Sequence, residues 1–273
     1  MIDDSLKLAT DNVMRGGVSS PMKTTAHASE YSELLDGDNL KSSEMCGSCH
    51  DIVLPNGTHI ERTFAEWQHT IYSKEETQPS LSCTACHFNG VNAPIADVED
   101  APQRRHHSHM NPGVDLALTE FPFRDEQRAA VQSALDSTLS TQVCVYPDGV
   151  STNIVVSLEN IAAGHKWPSG ASPDRRAWVE VIAKKEGEII YHSGKVSPAQ
   201  AVSEVEVQDS TIWVFRDHLQ DAQGNDVHMF WEAEDYTSEL LPAPTSLSPF
   251  DPSYIDTHVT RYYPVQSGEP DEV

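Results

Sequence analysis

Basic side chains are scarce in this 273-residue chain: 18 lysines and arginines stand against 42 aspartates and glutamates, a formal charge of -24 at pH 7. Nucleic acids and anionic membranes are recognised by clustered cations that displace counterions, so an acidic excess of this size argues against both partners. Basic partners and cation-rich surfaces suit the charge better. No run of 18 or more apolar residues occurs, and no transmembrane helix is expected. The opening "MIDDSLKLATDN" has acidic residues where a signal peptide carries basic ones, and it has no apolar segment. Either an export signal has been removed or the protein is not exported. Low-complexity tracts are absent as well, and the last residues, "SGEPDEV", read as a polar tail.

Cysteine is also sparse, but its placement is informative. Four of the five cysteines fall into two tight pairs, "CGSCH" (Cys46, Cys49, His50) and "CTACH" (Cys83, Cys86, His87), with Cys144 apart. Cys-x-x-Cys-His is the attachment sequence of c-type haem. Two thiols three positions apart can each form a thioether to one vinyl group of a haem, and the adjacent imidazole is then carried under the iron as its proximal ligand. Zinc sites place their two pairs about 12 to 20 residues apart and need no histidine after either pair; here 33 residues separate Cys49 from Cys83. A thioredoxin-like pair needs a βαβ context, which these surroundings do not offer, and cysteines this close do not favour structural disulfides. The expected cofactors are two covalently bound haem c groups. Covalent attachment needs reduced thiols in an exported chain, so a periplasmic or extracellular location is expected, with the signal peptide missing from this sequence.

The length accommodates two ordinary domains. From residue 1 to 138 the pattern is loop-rich and partly helical. "TFAEWQHTIYS" puts Phe64, Trp67 and Ile71 on one stripe, and "DEQRAAVQSALDS" does the same for Ala130, Val131, Ala134 and Leu135. Little else there could form a core, which the haems would supply. From 139 to 273 the texture changes to short β-branched and aromatic runs between turns: "QVCVYP", "TNIVVSLEN", "RAWVEVIAKK", "EIIYHSG", "VSEVEVQ", "TIWVFRD" and "VHMFWEA". The expected fold is therefore α+β and mostly irregular, a dihaem segment followed by an antiparallel β-sandwich-like domain. Trp167, Trp178, Trp213 and Trp231 are expected mainly in its core, and Cys144, between two valines, as a buried thiol.

The axial ligands decide the function. A haem with only a proximal histidine can bind small molecules at its open face, whereas a second strong ligand leaves electron transfer. His27 precedes the first motif on a Ser/Thr-rich stretch. His106, His107 and His109 follow the second in "RRHHSHMNPGVD", where one ligand is expected, His107 being a weaker candidate than His109. His69 points away from the apolar stripe of its helix, and His59 follows the turn "LPNGT" and is expected to be exposed.

Taken together, "SSEMCGSCHDIVLPNGTHIERTFAEWQHTIYS", "LSCTACH", "HSHMNPGVD", "AGHKWPSGASPDRRAWVEV" and "VHMFWEA" resemble a family of exported multihaem c-type cytochromes of bacteria and archaea. The resemblance covers the chain from about Ser20 to Tyr263. It implies a haem-bearing segment followed by a β-domain, bis-histidine haems, and a role in respiratory or extracellular electron transfer. By position it matches the family's distal histidines to His27, His109 and His165, three candidates for two places. Relatives usually carry four or more haem motifs where this chain has two, so some of these histidines serve extra haems elsewhere and are idle or lent to a neighbouring subunit here.

The expected activity is that of an electron carrier with no catalytic residues, working with redox partner proteins or neighbouring copies of itself, as in a haem-lined filament. The alternative is a dihaem peroxidase or small-molecule reductase with one open or weakly ligated iron, for which Met110 beside His109 is the nearest weak ligand. Arg175 and Arg176 are candidates to clamp haem propionates, with pairing to acidic neighbours as the competing role.

Overall fold

The computed structural model describes residues 9–21, 28–76, 80–88, 90–95, 97–108, 110–113, 115–147, 151–266 and 269–273. Contacts divide the chain into two compact units, Met1–Ile52 with Arg62–Thr138, and Val53–Glu61 with Leu139–Val273. Among the described residues no helix is long and apolar enough to cross a membrane.

Regular structure in the first unit is short. Strands β1 (Val13–Gly16) and β2 (Ala28–Tyr31) pair in parallel. A hairpin of β3 (Ile52–Val53) and β4 (His59–Glu61) marks where the chain leaves this unit for the other. Strands β5 (Gly90–Pro94) and β6 (Gln103–His107) form an antiparallel ribbon. The helices are α1 (Ser43–Gly47), α2 (Thr63–Gln68), α3 (Cys83–His87) and α4 (Arg124–Asp136). The first and third carry cysteines of the two motifs. Helix α4 follows its sequence pattern: Asp125 and Glu126 in the first turn complement the helix dipole, and Val131 is buried.

The core of this unit is small. Trp67, Ile71 and Tyr72 are buried, with Phe64, Leu40, Leu81 and Cys83 packed against them, and Phe64 stacks on Trp67 at 5.8 Å between ring centroids. The stripe read from "TFAEWQHTIYS" is this cluster, although the helix stops at Gln68 and a separate 3-10 turn, Ile71–Ser73, carries its last members. Buried Thr70 joins the two pieces: its hydroxyl donates to the Trp67 carbonyl at 2.8 Å and accepts from the Tyr72 amide at 3.2 Å.

The second unit is built from small antiparallel sheets, in keeping with an irregular α+β fold. Strand β7 (Leu139–Pro147) lies beside β8 (Thr152–Asn160), which pairs on its other edge with β16 (His258–Val265). Strands β9 (Trp178–Val179) and β12 (Trp213–Val214) pair, as do β10 (Val181–Lys185) and β11 (Glu188–Ser193). Strand β13 (Asp217–Gln220) sits between β14 (Asp226–Val227) and β15 (Asp235–Ser238). Alternation along β8 turns Ile154, Val156 and Leu158 inward, where they meet Val181, Ala183, Trp213, Phe215, Leu241, Tyr263 and Val265.

Three sequence expectations fail here for physical reasons. "VSEVEVQ" is a helix, α5 (Val202–Gln208), because Val202 and Val205 are buried at helical spacing against Ile212 and Val214, while Val207, which a strand would turn to the same side as Val205, is 89% exposed. In "VHMFWEA" only Val227 continues a strand; Phe230–Glu232 is a 3-10 turn, and Trp231 faces solvent at 75% exposure instead of joining the core. Cys144 is exposed, because β7 is the outermost strand of its sheet and β8 is its only neighbour among the described residues. Trp213 is buried and Trp167 and Trp178 are half-buried against apolar neighbours, as expected.

Tyr263 is 1% exposed, and its hydroxyl has no hydrogen-bond partner. Burial pushes the phenol up to about 12. With the folded pKa above the ordinary value of about 10, this group's contribution to stability is intact below about pH 10 and is lost as pH rises toward 12. Tyr263→Phe removes an orphan hydroxyl and the ionisation together. Denaturant titrations should show stability at neutral pH unchanged or raised by up to about 1 kcal/mol, and a shallower fall above about pH 10 than in the wild type.

Candidate functional site

Each Cys-x-x-Cys-His motif forms one helical turn. In the first, the amides of Cys49 and His50 both donate to the Cys46 carbonyl, at 3.0 and 2.9 Å, which carries the two thiols and the imidazole round a single turn at the end of α1. In the second, Ser82 caps α3: its hydroxyl accepts from the Ala85 amide at 2.9 Å, and the Cys86 amide donates to the Ser82 carbonyl at 3.3 Å. All four thiols are free; Cys46 and Cys83 are half-buried, and Cys49 and Cys86 are exposed. The donor set of two unoxidised thiols at i and i+3, followed by histidine, fits covalent haem attachment at both turns.

Buried serines tie the two turns together. The Cys83 amide donates to Ser43 Oγ at 3.0 Å, Ser82 Oγ donates to the Gly37 carbonyl at 2.6 Å, and Ser42 Oγ meets Thr84 Oγ1 at 3.5 Å. All three serines are almost wholly buried. The first cysteines of the motifs lie close enough to influence each other: interaction with the Cys46 thiol lowers that of Cys83, and the same interaction raises Cys46. Helix α2 holds the same pair from the other side. The Phe64 amide donates to the His50 carbonyl at 2.9 Å, and Trp67 Nε1 donates to the Leu81 carbonyl at 3.0 Å, two residues before the second motif. Beyond His50, Arg62 closes an ion pair on Asp51.

The motif histidine His87 and the candidate ligand His165 are held alike. His87 Nδ1 lies 2.8 Å from the Pro112 carbonyl. A carbonyl only accepts, so Nδ1 carries the proton and Nε2 the lone pair, the tautomer a metal ligand needs. His165 has the same arrangement on the Lys166 carbonyl at 2.7 Å. Its loop is fixed by Asn160, fully buried, whose side chain donates to the His165 carbonyl at 2.7 Å and accepts from the Ala163 amide at 3.1 Å. Gly164, at φ +72°, makes the turn that precedes it. Main-chain bonds in both directions between Trp167 and Leu241, 2.9 and 2.8 Å, anchor the far side.

His107 Nδ1 donates to the Phe88 carbonyl at 2.8 Å, but its Nε2 faces the backbone of Gly37, where an added Cβ would stand 2.6 Å away, and Asp38 at 3.9 Å. That packing makes His107 a brace for the Gly37 turn. His69 is exposed at the end of α2, and His59 is exposed on β4. His27 and His109 lie outside the described residues. Arg176 donates to the carbonyls of Gln200 and Ser197 and lies over Trp178 at 5.7 Å. Arg175 follows the 3-10 turn Ser172–Asp174, its terminal nitrogen near Gly170.

No protein-family model matches this chain, and no curated protein matches it in sequence. Among solved structures it is similar to a penta-heme cytochrome c552 from Thermochromatium tepidum, with a TM-score of 0.52 and 17% identity over 88% of this chain and 48% of that one. The fold is shared with part of that protein. At this identity the likeness concerns the path of the backbone, and the chain spans about half the length of the structure it resembles.

Sequence reasoning singled out the cysteines and histidines of the two motifs but missed the residues that arrange them. Ser82 had a legible signal, a helix-capping residue directly before "CTACH". Ser43 and the Pro112 carbonyl had none, since both act through backbone groups distant in sequence.

Gly47, inside the first motif, is packed under Phe64: a Cβ there would lie 2.5 Å from the ring. Gly47→Ala is expected to cost about 1–3 kcal/mol in the denaturant midpoint. The control Gly16→Ala, where a Cβ meets nothing within 4 Å, should stay within about 0.5 kcal/mol.

Proposed function

We propose that this chain is an exported electron carrier that binds two haem c groups, one at Cys46, Cys49 and His50 and one at Cys83, Cys86 and His87. The observation that carries this reading is the pair of helical turns with free thiols, joined by buried serines. The composition of the unit supports it: only Trp67, Ile71, Tyr72 and Val131 are buried apolar residues among those described there, while Val91, Val98, Leu118 and Phe123 are more than 60% exposed. Large apolar cofactors covalently attached to this unit would give such side chains a partner.

Haem supplies reversible one-electron chemistry and, with imidazole on both axial positions, offers no open site to a substrate. The protein's part is to hold the ligands and set the potential. Pro112 fixes the His87 tautomer, and the Asn160 clasp and Lys166 do the same for His165, a candidate distal ligand beside His27 and His109. Carboxylates around the first motif, Asp36, Asp38, Glu44 and Asp51, favour the ferric state and so lower the potentials. An acidic surface suits a redox partner with a basic face. Neighbouring copies of the chain are the other acceptor class, and filament assembly would extend a two-haem path.

Low-temperature electron paramagnetic resonance of the oxidised protein should show low-spin ferric signals from both haems. His165→Ala is expected to turn one haem high-spin while the haem content stays at two per chain. Predominantly high-spin signals in the wild type, or rapid binding of carbon monoxide by the reduced wild type, would instead mark an open iron and an enzyme.

A further inference from the structure

Apart from Pro147 at its end, strand β7 lacks the usual protections of a sheet edge among the described residues. Between Asp136 and Asp148 there is no charged residue, although the chain as a whole carries a charge of -24. Edge strands in soluble proteins are ordinarily guarded by lysine, by a bulge or by a covering loop. Here Thr141–Pro147 is exposed throughout, the strand pairs with β8 in an unbroken register, and its other edge is open among the described residues.

Both faces of the exposed stretch are sticky. Val143 and Val145 stand opposite Val156 and Ile154 of β8, so they lie on the core face of the sheet, yet they are 51% and 38% exposed. Cys144 and Tyr146 point to the other face, where Tyr262 of β16 is exposed in the same cross-strand row as Cys144 and Val155.

We propose that β7 is the docking edge for a second copy of this chain, pairing antiparallel with the same strand about a two-fold axis. The exposed stretch is centred on Cys144. Pairing it with itself sets Cys144 against Cys144 of the second copy, Val143 against Val145 and Gln142 against Tyr146. The four valines then cover one another and extend the core face, and the two thiols meet on the opposite face. An uncharged edge is where two strongly acidic chains can approach with least repulsion. A two-fold contact of this kind closes on itself, so it yields a dimer and not a filament. The proposal is independent of how the haems are ligated.

The test uses the haem-loaded protein and diamide, which takes up the two thiol hydrogens as one S–S bond forms. A non-reducing gel should show a dimer that dithiothreitol reverses, and peptide mapping should place the bridge at Cys144–Cys144. Cys144→Ser should abolish the covalent dimer. Val143→Lys and Val145→Lys keep the thiol but bring like charges to the edge, and each should slow bridging at least tenfold, with circular dichroism unchanged to show that the fold persists. Sedimentation of Cys144→Ser should still show concentration-dependent dimerisation, lost when Val145→Lys is added. Monomers at every concentration, bridging through other cysteines, or lysine variants that bridge as fast as the wild type would each overturn the proposal.

Discussion

A buried hydroxyl on Ser43 joins the helices of the two Cys-x-x-Cys-His motifs, a second on Ser82 ties the later one to the Gly37 turn, and the arrangement of the first unit follows from these contacts. Each turn is a helix of about five residues, too short to be stable alone. Through Ser43 the first motif supplies the acceptor for the first amide of the second, and through Ser82 the second motif returns a hydrogen bond to the Gly37 carbonyl. The result brings the first cysteines of the two motifs, Cys46 and Cys83, near each other. Two haems attached there would be neighbours, as exchange of single electrons requires.

The two units are stabilised by different means. The second has a large apolar cluster, in which β8 alternates cleanly between buried and part-exposed residues, and two smaller ones. The first has four buried apolar residues among those described and relies on polar joints: buried serines, Thr70 between α2 and its following turn, and the Arg62–Asp51 pair beside the first motif. Such joints are directional and tolerate little displacement.

Much of this was legible in the sequence where chemistry demands a fixed spacing. The two haem motifs, the apolar stripe of Phe64, Trp67 and Ile71, and the change of texture near residue 139 all reflect local rules. Reading failed where tertiary context outweighed local pattern. Alternation in "VSEVEVQ" imitates a strand, but burial of Val202 and Val205 on one side makes it a helix. Valines on both sides of Cys144 suggested burial, yet β7 has only β8 beside it among the described residues, and the thiol is exposed.

The central claim is that both cysteine pairs carry haem, and intact-mass spectrometry of the denatured, exported protein tests it most directly. The account predicts a mass equal to that of the polypeptide plus two haems, unchanged by reductant, with peptides mapping the modifications to Cys46 and Cys49 and to Cys83 and Cys86. An unmodified polypeptide mass, or a mass shift that reductant or a chelator removes, would contradict it.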